Sequence, residues 1–173
     1  MITKKMNAIF FICLAVSLYF NTLHINAQEL SPRDRKEIRA RSILVVNEYQ
    51  ELLNLIANSD MFASEIEEII NNSYSNGANK LFFDEKAIIE DDIDPATEPS
   101  KAADLDVKTY LRNFDLLYQT SPEPSVVFDD IKASKVMQGE FPYVQVYFTS
   151  LFNNSNIQSS EAYEKLERKA ELR

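Results

Sequence analysis

Tryptophan is absent from this 173-residue chain, glycine occurs twice, and cysteine and histidine once each. Both of those reactive residues, Cys13 and His24, fall in the first 27 positions, so the nature of that segment decides whether they count. Lys4 and Lys5 give it a positive start, residues 8 to 20 are mostly apolar, and Ile25-Asn26-Ala27 ends on a small residue. This is the pattern of a secretory signal peptide cleaved after Ala27. A bilayer-spanning helix wants about 20 apolar residues, so the run is short for a permanent anchor. Cys13 follows the bulky Ile12 inside the apolar run, which makes a poor lipoprotein cleavage site.

Cleavage at that point leaves 146 residues with no Cys, His or Trp. No disulfide forms, so stability must come from the core. A Cys/His zinc site is excluded, as are Ser-His-Asp and Cys-His nucleophiles. The commonest acid/base side chain is gone, leaving Asp, Glu, Tyr, Lys and Arg for any chemistry. Export also removes two lysines and no acids, so 16 basic residues face 27 acidic ones, a net charge of −11. That field repels polyanions and argues against a nucleic-acid partner. The length suits one domain, residues 28–173, around a single apolar core.

Helices come first in what remains. Ser31-Pro32 is a helix start, with Asp34 in the first turn. Ile38, Val45, Tyr49, Leu52, Leu53 and Ile56 follow at helical spacing, and Asn58-Ser59-Asp60 closes the helix. The basic residues of its first half (Arg33, Arg35, Lys36, Arg39 and Arg41) read as a solvated face, or alternatively as a contact for an acidic partner or anionic membrane lipid. Ser64-Glu65-Ile66-Glu67 reads as a capping box opening a short second helix. Asp106 caps a third, whose stripe is Val107, Tyr110, Leu111, Phe114, Leu117 and Tyr118.

The period then changes. Val126, Phe128 and Ile131 suggest a strand, and residues 143–152 a stronger one, with aromatic or branched side chains on both faces, as a central strand needs. The tail, EAYEKLERKAELR, fits a helix by its ion-pair spacing and a strand by its alternation.

Between these blocks, KLFFDEKAIIEDDIDP runs an apolar stretch into Glu90, Asp91, Asp92 and Asp94. The four acids supply the hard oxygens that calcium prefers. An EF-hand loop beginning at Asp92 needs Gly at 97 and Glu at 103, where this chain has Thr97 and Ala103. Asp91 and Asp92 are no natural catalytic pair, because adjacent strand residues point to opposite faces. The plainer reading is a solvated strand end, with a calcium site of another kind as its rival.

This order of helices, short acidic-ended strand, helix and long strands resembles the nuclear-transport-factor-2-like (SnoaL-like) cone fold, and within it uncharacterised exported bacterial domains. The likeness rests on NSYSNGANKLFFDEKAIIEDDIDP at 72–95, DVKTYLRNFDLLY at 106–118 and FPYVQVYFTSLFNN at 141–154, and covers roughly residues 33–173. It implies an α+β fold, with N-terminal helices packed on a curved, mostly antiparallel sheet. It turns the tail into a strand, and implies one further strand that this chain lacks. The sheet is then shortened, or completed by a partner or neighbouring domain. It also implies a pocket, with Tyr110, Asp115, Tyr143 and Tyr147 as the polar side chains to line it. For each tyrosine the simpler alternative is a core ring whose hydroxyl reaches the surface or a backbone group. Arg112 reads as solvent-facing.

The leading expectation is an exported, periplasmic or extracellular, non-catalytic interaction or accessory module. It needs no cofactor and meets a protein partner, or itself, through an open sheet edge. Its alternatives are a small-ligand-binding protein using the cone pocket and an Asp/Tyr acid-base enzyme of isomerase, cyclase or hydratase type.

Overall fold

The structure, a computed structural model, describes residues 30–173, and the signal-peptide reading of residues 1–27 lies outside the described residues. Residues 34–173 pack as one compact unit. Helix α1 spans Pro32–Ile56, α2 Ala63–Tyr74 and α3 Val107–Leu117. Strands β1 (Ile88–Glu90) and β2 (Asp104–Asp106) form a small antiparallel ribbon. A second, three-stranded antiparallel sheet holds β3 (Val126–Ala133), β4 (Val144–Phe152) and β5 (Leu166–Leu172) in the order β3-β4-β5. The fold is α+β. None of the helices among the described residues is long and apolar enough to cross a membrane.

Local chemistry accounts for most of these elements. The Asp106 carboxylate accepts the Thr109 N–H at 2.8 Å and the Thr109 hydroxyl at 2.9 Å, capping α3 as its sequence indicates. These bonds hold the Asp106 carboxyl below its ordinary pKa. The start of α2 differs from the expected box. Its cap position is Phe62, which has no acceptor, and Glu65 reaches back to the Phe62 N–H at 2.9 Å. Ser64 lies within the first turn. The apolar residues 81–83 form no strand but are held in a bend, with Leu81 and Phe82 both donating backbone N–H groups to the Ser73 carbonyl.

The core joins the helices to one face of the three-stranded sheet. Phe114 stacks on Tyr118 at 4.7 Å and meets Phe152 edge-on at 5.6 Å. Val144, Val146, Phe148, Ser150 and Phe152 alternate inward along β4, the central strand of its sheet. Phe114 is fully buried, so its truncation to Ala costs about 3–5 kcal/mol.

Candidate functional site

The two outer edges of the sheet are treated differently, and the ladder shows how. Gln145 of β4 accepts the Ser134 N–H at 2.8 Å, and Asn153 donates to the Ser125 carbonyl at 2.8 Å. Odd-numbered β4 residues therefore bond toward β3, and even-numbered ones toward β5, since antiparallel strands alternate bonded and non-bonded pairs. Opposite Val144, Val146, Phe148 and Ser150 stand Leu172, Ala170, Arg168 and Leu166. The N–H and C=O groups of Glu167, Lys169 and Glu171 consequently point outward, away from the sheet.

The same parity turns Val126 and Phe128 of β3 outward, and there helix α1 covers them. Asn54 Oδ1 accepts the N–H groups of Ser125 and Val126, each at 2.9 Å, and Asn54 Nδ2 donates to the Val126 carbonyl at 2.9 Å. Gln50 Oε1 accepts the Phe128 N–H at 2.5 Å. Farther along, Arg39 donates to the Ala133 carbonyl at 3.2 Å. The register slips between Asp129 and Lys132, with Asp130 at φ 54°, a bulge that bends the edge away from further pairing. Among the described residues the outward groups of β5 have no such cover. Its solvent face carries Lys165, Glu167, Lys169 and Glu171, all exposed, charges that discourage indiscriminate pairing.

Beside β5 lies a buried polar cluster. Asp92 was expected at a solvated strand end, but its side chain is only 7% exposed. The loop after β1 turns it inward between α3 and β5, where Tyr110 donates to its Oδ1 at 2.7 Å and Arg168 stands 3.3 Å from its Oδ2. Arg168 also donates to the Glu90 carbonyl at 3.1 Å. Burial raises the Asp92 pKa, and the Arg168 charge and the Tyr110 bond only partly oppose it. Burial, followed by the Asp92 charge, pushes the Tyr110 and Tyr49 hydroxyls well above the ordinary phenol range. Tyr110 stays protonated, as the donor to Asp92. Next to Asp92, the buried Ile93 presents its carbonyl to Tyr163 (2.6 Å) and Asn156 (2.8 Å), and burial lifts Tyr163 to about 12.

The cluster borders a recess of about 80 Å³ walled by Glu90, Asp91 and Asp94 on one side and Leu166, Arg168 and Tyr163 on the other. That is far below the roughly 300–1,000 Å³ of small-molecule sites. A larger open groove of about 550 Å³ runs past Ile38, Ser42 and Val45 of α1 to Pro142 and Leu172.

The expected pocket residues do not converge. Tyr110 is buried in the cluster. Asp115 lies on the exposed face of α3, its pKa raised by burial of its carboxyl and then by Glu67. Tyr143 is in the bridge to Met137. Tyr147 is exposed on the opposite face of β4, donating to Gln145 at 2.8 Å. None of the four lines the larger groove. Nor do the four acids gather round one point. Asp91 accepts the Ile93 N–H, Asp94 the Ala96 N–H and the Thr97 hydroxyl, and Asp92 and Glu90 meet Arg168. Among the described residues no group of three or more acids, Cys or His is placed to hold a metal ion. Arg112 is solvent-facing as expected, paired with Glu67.

Gln50, Asn54 and Arg168 were missed, and each left a trace in the sequence. Asn54 and Gln50 are four apart on an otherwise apolar helix face. Arg168 shares the alternation of Leu166, Ala170 and Leu172, and an arginine on the apolar side of a strand calls for a buried counter-charge.

Protein-family models, curated proteins and solved structures were compared with the chain, and none matches it.

Proposed function

We propose that this chain is an exported, non-catalytic interaction module of the cone-fold kind, whose working surface is the outward edge of β5. The carrying observation is the asymmetry of the sheet: β3 has its outward groups bonded by Asn54, Gln50 and Arg39, while those of Glu167, Lys169 and Glu171 are left open. An extended segment supplied from outside residues 30–173 adds there as a fourth strand. Main-chain bonds give it affinity and alternate side chains give it specificity. Catalysis has less support, because both Asp92 oxygens are engaged and the adjoining recess is too small for a metabolite. The reading of residues 1–27 as an export signal puts the module outside the cytoplasm.

The test uses an extended probe peptide and the variant Lys169→Pro. Proline there removes one outward N–H and no bond to β4, so the fold persists. Binding followed by nuclear magnetic resonance should perturb Glu167, Lys169 and Glu171 in the parent chain and be lost in Lys169→Pro. Perturbation confined to the α1 surface would refute the proposal.

The 550 Å³ groove favours a second reading, a small-ligand site, since its volume lies within the range of such sites. A metabolite that raises the melting temperature, and loses that effect in Val45→Glu, would promote it.

A further inference from the structure

We infer that the segment docking on β5 carries a lysine or arginine whose charged end enters the 80 Å³ recess between β5 and β1. The inference rests on the reading of β5 as a docking edge and adds the chemistry of what docks.

Strand β1 also has an open side. Asp91 donates to Ala103 at 2.8 Å and Val107 to Ala87 at 2.7 Å. With Ile89 opposite Leu105, the bonded pairs of the ribbon are therefore odd-numbered. Ile88 and Glu90 thus turn their backbone groups away from β2. The Glu90 carbonyl confirms the direction, since it accepts from Arg168 of β5. Glu90 of β1 and Leu166 and Arg168 of β5 line the same recess, and the Arg168 side chain crosses between the two strands. An incoming strand, which sits about 4.8 Å from its neighbour, meets the β5 edge first. Its own N–H groups can replace Arg168 at the Glu90 carbonyl, while Asp92 keeps the guanidinium.

Charge selects the side chain. Five acidic residues and one basic residue line the recess. Arg168 pairs with both Asp92 and Glu90, so one cation faces five acids, and Asp91, Asp94 and Glu164 make no ion pair with it. At about 30 Å³ per water the space equals two or three waters, room for an ammonium or a guanidinium head. A segment bonded to the β5 edge directs alternate side chains to the face that carries Leu166 and Arg168, which line the recess.

The test mixes the full chain with capped peptides of alternating Thr and Val whose central residue is Lys, Gln or Glu. The Lys peptide should bind about tenfold tighter than the Gln peptide, and the Glu peptide weakest. The preference should shrink with added salt and in the Glu90→Gln/Asp94→Asn double variant, which removes two of the five acids of the recess. All three should lose binding to Lys169→Pro. Equal binding of the three overturns this inference and leaves the docking edge standing. A Lys preference undiminished in the double variant, or Lys-peptide binding that persists in Lys169→Pro, also overturns it. Failure of every peptide to bind overturns both readings.

Discussion

Asp92 sits where its charge is costly, and two side chains make that charge tolerable. Removing Arg168 strands the carboxylate. Arg168→Met should therefore cost about 3–5 kcal/mol near neutral pH, measured by urea unfolding. The pH dependence has a definite sign. Burial raises the Asp92 pKa in the fold, so its contribution to stability is complete below the unfolded carboxyl pKa and is lost as pH rises through the folded one. The deficit of Arg168→Met should then narrow on acidification, as Asp92 becomes neutral. A deficit that is constant with pH would mean that Arg168 acts by packing alone. Tyr110→Phe keeps the ring and removes one donor, at a cost of about 1–3 kcal/mol. This cluster was only half legible. The acids were visible as a group, but which one turned inward depended on Tyr110, 18 positions away, and on Arg168 from the last strand. Adjacency in sequence does not report that.

At the scale of elements, α1 does more than cover the core. Asn54 and Gln50 stand in for a neighbouring strand along β3. Asn54→Ala strips partners from three backbone groups at once and should cost about 2–4 kcal/mol, since each unmet buried group costs about 1–3 and water recovers part. It should also create a second sticky edge, seen as concentration-dependent light scattering that the parent lacks. Loss of stability without association would show that the bulge at Asp129–Lys132 guards β3 by itself. Asp106→Ala should cost about 1 kcal/mol through loss of the α3 cap. The helices were readable because period and capping are local: the stripe from Val107 to Tyr118 and the Asp106 cap appear where expected. β4 was readable from its two-residue alternation. The tail was half readable: its alternation permitted the strand and the resemblance implied it, while residue type and ion-pair spacing favour a helix over 161–173, and seven ladder pairs with β4 hold Leu166–Leu172 extended. That is a tertiary decision.

At the scale of the whole molecule, the three-stranded sheet has a guarded edge and an open one, in a chain with an excess of acidic residues. The groups at Val126 and Phe128 are bonded to α1, while those at Glu167, Lys169 and Glu171 face outward. Residue-resolved amide hydrogen exchange on the free chain tests this directly. The N–H groups of Val126, Phe128, Leu166, Arg168 and Ala170 should exchange slowly, and those of Glu167, Lys169 and Glu171 fast, alternating residue by residue along β5. Uniform protection across residues 166–172 would mean that the edge is already occupied and would contradict the account.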